Sequence, residues 1–209
     1  MARTYFARLP AALAAASLIA APFAAHAEDA EVTRLQTARK AERYSLATAG
    51  NEIRTGGARV HVQAPLATTR SVVTDYGHYS LFPRFQKSRV VAKKDGKTDV
   101  YLQLGILNGA ATVWALVRFD APVKEGAGER IEGRMIEGNV DDLRATWHLT
   151  PTEDGGTLVK SELLVAPKLR LPASIVTPEL EYAADQAATS VRDRSEAKAK
   201  GAGATAQGE

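Results

Sequence analysis

The chain has 209 residues, no cysteine, 45% hydrophobic residues and 27 basic against 24 acidic side chains. The missing cysteine excludes a disulfide framework, a thiolate metal site and a Cys nucleophile together, so the fold must rest on an ordinary apolar core. Arg3 and Arg8 belong to a leader-like N-terminus, and without them 25 basic residues face 24 acidic ones. The basic pI is therefore no sign of a nucleic-acid surface, which needs clustered Lys and Arg with contacting aromatics.

Residues 1–27 read as a cleavable signal peptide. Arg3 and Arg8 form a positive n-region, "LPAALAAASLIAAPFA" an apolar h-region, and Ala25-His26-Ala27 a small-x-small cleavage site. The apolar run of 16 residues is short of the roughly 20 needed to span a bilayer, and Pro10 and Pro22 interrupt its ends. No cysteine follows it, which excludes a lipoprotein anchor. The mature chain is expected to begin near Glu28, to be periplasmic or secreted, and to have no integral membrane span, with transient membrane contact left open. Roughly 180 mature residues suffice for one domain.

Residues 28–57 read as an N-terminal arm, partly helical or extended, in which "GNEIRTGG" is turn-rich. From Ala58 the pattern turns to period two. "ARVHVQAP" sets Val60, Val62 and Ala64 against Arg59, His61 and Gln63. "LATTRSVVTD" then reads as one short helix, and the aromatic stretch "DYGHYSLFP" as a second that Pro83 stops. Strands follow in "KSRVVAKKD", "KTDVYLQLGI", "ATVWALVRFDAP", "RIEGRMIEG", "LRATWHLTP" and "TLVKSELLVAP". They are separated by hairpin turns at Asp95-Gly96 and Asn108-Gly109 and by the turns "GAGE", "NVDD" and "TEDGG". This is an antiparallel meander with one apolar face covered. On the strand of Trp114, Leu116 and Arg118 those side chains are expected outward. A bulge would instead put Arg118 inside the fold, where a cation is costly without a partner.

The cover is a C-terminal helix that starts at Thr177-Pro178-Glu179, with a hydroxyl cap, a proline at the first position and an acid in the first turn. Its stripe of Leu180, Ala183, Ala184, Ala187 and Val191 has helical spacing and is mostly alanine. Such small side chains either let the helix approach the sheet closely or leave a void. Residues 198–209 are low-complexity and read as a disordered tail.

The order of these motifs resembles the START-like, or SRPBCC, superfamily, and within it the polyketide cyclase/dehydratase and coenzyme Q-binding branch. The resemblance rests on Ala64-Pro65 at a strand end, Asp75-Tyr76 at a helix end, Tyr79 and Phe82-Pro83 before the next strand, Trp147 to Pro151, Gly156 to Val159, and Pro167 and Pro172 before the last helix. It covers residues 58–197. Many relatives carry Trp shortly after Ala-Pro, where this chain has Arg70 or Ser71. The resemblance implies an α+β helix-grip fold: a curved antiparallel sheet of six to seven strands wrapped around the long C-terminal helix, with two short helices after the first strand. It further implies an apolar cavity for a lipid, isoprenoid, quinone or polyketide-like compound. No catalytic residue is shared across that superfamily, so none carries over.

The residues themselves point the same way. The histidines lack the spacing of a metal site, and no metal or cofactor is called for. Asp141-Asp142 and Glu153-Asp154 read as solvated turn acids. Expected cavity residues are Tyr79, Phe82, Val100, Leu102, Leu104, Val113, Val117, Phe119, Trp147, Leu180, Tyr182, Ala183 and Ala187, with Tyr101 a further aromatic near the mouth. The leading reading is an exported carrier of a hydrophobic small molecule. The alternatives are a cyclase- or dehydratase-like enzyme, which needs an acid or base inside the cavity, and an interaction module with a filled core. The oligomeric state is not legible.

Overall fold

The computed structural model describes residues 21–106 and 111–206. The expected signal sequence up to residue 20 and the expected Asn108-Gly109 turn lie outside the described residues. The chain runs through α1 (Ala21–Ala38), β1 (Glu42–Thr48), β2 (Asn51–Val62), α2 (Leu66–Val73) and a 3-10 segment (Tyr76–Leu81). It continues through β3 (Phe85–Lys94), β4 (Lys97–Ile106), β5 (Ala111–Phe119), β6 (Val123–Glu125), β7 (Gly128–Gly138), β8 (Val140–Pro151) and β9 (Thr157–Pro167) to α3 (Ala173–Ala206).

All strands join one antiparallel sheet in the order β1-β2-β9-β8-β7-β5-β4-β3, with β6 paired to β7. The helix-grip architecture follows from two facts. The meander from β3 to β9 folds hairpin on hairpin, and β2 closes the far end by pairing with β9. The strand count is nine rather than six or seven, because the short β6 and the arm strand β1 both pair. Asp95 and Gly96 hold φ of 52° and 73° at the β3–β4 turn, the left-handed pair a tight hairpin demands.

The stretch read as turn-rich, Asn51 to Gly57, is the first half of β2. Its glycines serve close approach. A Cβ on Gly56 would run into the main chain of Leu180 and Glu181 in α3, and one on Gly57 into the Tyr44 ring of β1. On the inner face Val60, Val62, Val100, Val117, Phe119, Ile131 and Leu149 are almost fully buried, against Leu180, Ala184, Ala188 and Val191 of α3.

Two expectations about α3 change. The helix begins at Ala173, where the N–H groups of Ile175 and Val176 both donate to the Pro172 carbonyl, so Pro178 lies inside it. The N–H that Pro178 lacks would have bonded the Ser174 carbonyl, and both residues are exposed to water. Thr177 is buried and accepts the Arg54 backbone N–H at 3.2 Å rather than capping the helix. The helix also continues past Ala197 to Ala206, through the stretch read as a tail.

The outer face is not wholly bare. α1 lies on it with Leu35 1% exposed. Glu31 pairs with Arg59 at 2.7 Å, and Gln36 donates to Asp154 at 2.7 Å. His61, on the polar side of its strand, is consequently buried.

Candidate functional site

The alanine stripe of α3 serves both purposes that its small side chains allow. Ala184 and Ala188 pack into the core and are essentially inaccessible, and Gly56 removes the last obstacle on β2, so this flank of the helix meets the sheet closely. On the adjoining flank Ala183 and Ala187 are too short to reach the sheet opposite, and a gap remains. The gap has two lobes, with cavity volumes of about 50 Å3 and 60 Å3. They share Arg84, Leu104, Leu163, Val165 and Ala183, so they lie side by side. Each is larger than the roughly 10–15 Å3 that a single water requires.

The outer lobe lies under the start of α3, against Val113, Leu171, Val176 and Leu180. The inner lobe runs between Leu102, Phe119 and Trp147 of the sheet, Tyr79 and Phe85 at one end, and Ala187 on the helix. The sheet is in register across its floor, with Trp147 opposite Ser161 and Leu104 opposite Val113.

Of the residues expected in the cavity, Tyr79, Leu102, Leu104, Val113, Phe119, Trp147, Leu180, Ala183 and Ala187 line one lobe or both. Phe82, Val100, Val117 and Tyr182 do not. Phe82 stacks on Tyr79 with ring centroids 4.8 Å apart and lies beneath the Arg194 guanidinium, so it is a wedge behind the wall. Val100 and Val117 are register partners on β4 and β5, sealed in solid core. Tyr182 lies on the flank of α3 and carries the Arg84 and Arg43 guanidinium groups at 4.4 Å and 4.8 Å from its ring centre. Tyr101 is outward as well, stacked on Trp114. Arg118 points outward and is held by Asp99 at 2.7 Å.

Several lining groups escape the sequence reading, among them Arg84, Ser161, Leu163 and Glu179. Arg84 borders both lobes, with its backbone in the left-handed region at φ 72°. It donates to Glu179 on α3 at 2.6 Å. Ser161 and Leu163 continue the inward side of β9, where Ser161 interrupts the apolar alternation Val159, Leu163, Val165 in plain view. Glu179, at the rim, is one turn from Tyr182.

The polar chemistry at the cavity is sparse. The Tyr79 hydroxyl donates to the Val73 carbonyl at 2.6 Å. Burial pushes its phenol well above the ordinary value, with the indole of Trp147 opposing, so it is neither a base nor an ionisable acid near neutral pH. The Arg84–Glu179 pair is mutually satisfied. Glu162 borders the inner lobe, but its carboxylate accepts from the Tyr44 hydroxyl at 2.9 Å and faces His148 on the outer side. Among the described residues no group of three His, Asp or Glu is placed to hold a metal ion, and no helix is long and apolar enough to cross a membrane.

The sequence of residues 62–192 matches the protein family described as polyketide cyclase / dehydrase and lipid transport. No curated protein matches the chain. Among solved structures it is similar to the STAR-related lipid transfer protein of Xanthomonas axonopodis, at 15% identity and a TM-score of 0.61, covering 74% of this chain and 93% of that one. Human StAR-related lipid transfer protein 5 gives a TM-score of 0.63 at 7% identity, covering 83% and 97%. The protein TTHA0849 of Thermus thermophilus gives 0.59 at 17% identity, covering 68% and 97%. These likenesses are of fold.

Proposed function

The chain belongs to the polyketide cyclase / dehydrase and lipid transport family, and on that premise we propose that it is an exported carrier that shields a hydrophobic small molecule between its sheet and α3. The observation that carries this reading is the two-lobed cavity itself. Its walls are mainly aliphatic and aromatic; of the charged groups that border it, Arg84 and Glu179 are paired at the rim and Glu162 is held by Tyr44 and His148. Such a space gains affinity by desolvation, roughly 25 cal/mol per Å2 of apolar surface buried, and it selects against charge. A lipid, an isoprenoid or quinone, or a polyketide-like ring compound meets that requirement.

A cyclase or dehydratase would need a free acid or base at the cavity. The carboxylates and phenol that border it are each committed to a protein partner, which favours binding over catalysis. The presence of the cavity counts against an interaction module with a filled core.

Export is supported by the leader pattern of residues 1–27. Cleavage after Ala27 would keep Glu31, Arg34, Leu35 and Gln36, the residues through which α1 grips the sheet. The test is mass spectrometry of compounds extracted from protein purified out of its native compartment. A lipophilic compound at near one per chain is expected. Delipidated protein that takes up neither that extract nor a neutral hydrophobic probe would overturn the reading.

A further inference from the structure

The inner lobe contains one polar side chain with nothing to bind. Ser161 is 5% exposed and lies on the cavity wall. Its hydroxyl has no hydrogen-bond partner among the described residues. The other buried polar side chains show how unusual this is. Thr69 and Thr157 donate to the Ala64 carbonyl, Thr177 accepts from Arg54, His61 meets Asp154, and Glu196 accepts from Gln63. Ser195 is the remaining exception, and its hydroxyl is sealed from any space. The Ser161 hydroxyl instead opens on the lobe, directly across the ladder from Trp147.

A hydroxyl at this depth without a partner is costly, and an apolar residue of similar size would serve a purely structural role better. The charge balance narrows what could satisfy it. Arg84 is the one cation on the described cavity wall, and Glu179 already neutralises it at 2.6 Å. An anionic head group would have to displace Glu179, and nothing else on the wall would balance it.

Building on the carrier reading, we infer that Ser161 is the ligand's polar anchor, and that the cavity takes an uncharged molecule whose single ketone or alcohol oxygen lies against Ser161 and Trp147. The hydroxyl donates to a ketone or alcohol oxygen and accepts from an alcohol, while the ring or chain of the ligand fills the space between Trp147, Phe119 and Ala187. A pure hydrocarbon leaves the hydroxyl unsatisfied. A carboxylate enters without its countercharge.

Three compact probes of one skeleton separate these cases: 2-ethylnaphthalene, 2-acetylnaphthalene and 2-naphthoate. Binding is read from Trp147 fluorescence in delipidated protein carrying Trp114→Phe, which removes the outer-face tryptophan. The ketone is expected to bind most tightly. Ser161→Ala should weaken the ketone about five- to tenfold and change the hydrocarbon by less than about twofold, and Ser161→Thr should keep the preference for the ketone. A change in Ser161→Ala that is equal for both neutral probes, whether nil or total, overturns the assignment, as does tightest binding of 2-naphthoate. If neither neutral probe binds the unsubstituted delipidated protein, the carrier reading falls, and the anchor with it.

Discussion

At the scale of single residues, the glycines of β2 and the histidine of β8 separate packing from charge. Gly56 and Gly57 sit in a strand, where glycine ordinarily weakens structure, because the α3 backbone and the Tyr44 ring occupy the space a side chain would need. Gly56→Ala should cost about 3 kcal/mol in urea unfolding, since main chain cannot swing aside. Gly77→Ala, with open space around it, should stay within about 0.5 kcal/mol. Equal effects would show that the close approach of α3 is not what fixes Gly56. His148 lies between two carboxylates and its pKa is raised. Glu162 contributes most, burial opposes, and Glu125 adds a further share. Glu125 is the nearer, at 2.6 Å against 3.8 Å, but it is 47% exposed where Glu162 is 19% exposed, so water screens it more. A folded pKa raised above the unfolded value means the stabilisation is fully present below the ordinary histidine value of 6.5. It is lost as pH rises through the folded pKa. The stability gap between the wild type and His148→Gln should therefore be wide at about pH 5.5 and narrow at about pH 8.5. A gap that widens with pH would reverse the assignment of His148 as the cation of this cluster.

At the scale of elements, α3 carries a division of labour between neighbouring alanines. Ala188→Leu drives a side chain into a filled core and should cost about 1–3 kcal/mol. Ala187→Leu projects into the inner lobe, so stability should hold while affinity for a neutral probe falls at least about tenfold. Thermal melts and probe titration on both variants check this, and a drop in stability for Ala187→Leu would mean that the lobe is not open space. The same elements show what a sequence displays and what it conceals. The meander strands are legible because alternation is local and one face is buried, and Asp95-Gly96 announces its hairpin. The arm is not. Among its described side chains α1 docks through Leu35 and a set of polar contacts to residues 8 to 129 positions away, which leaves no apolar stripe to read. Gly56 and Gly57 resemble a turn because the atoms that require them belong to α3 and β1. The Pro178 start signal misleads because Pro172, six residues earlier, already bends the chain into the helix. On the cavity wall the apolar residues follow from alternation. Arg84 does not, since nothing local says that a left-handed arginine reaches Glu179, 95 positions on.

At the scale of the whole molecule, the cavity lies where α3 parts from the sheet, and the Arg84 side chain is the tie across that parting. α3 rests on β2 and β9, whereas the 3-10 segment packs on β3 and lays Tyr76 and Tyr79 against Phe119 of β5. Arg84, in that exit turn, reaches Glu179 and the face of Tyr182, and so fastens the two halves of the cover to each other. The pair is partly exposed, with 18% and 32% of the two side chains accessible, so the ion pair and the cation–π contact together amount to about 1.4 kcal/mol. That is a factor of about ten in a rate or an equilibrium constant. On the carrier reading the tie touches the rim more than the ligand's body, so it is expected to hold in both the empty and the filled protein and to break while a ligand passes. Its loss should lower the barrier to passage from both sides. In stopped-flow exchange of a neutral hydrophobic probe, Arg84→Ala should raise the association and dissociation rates about tenfold each and leave Kd within about threefold. A variant whose Kd weakens in step with its dissociation rate, at an unchanged association rate, would make Arg84 a ligand contact and not the fastener of the mouth.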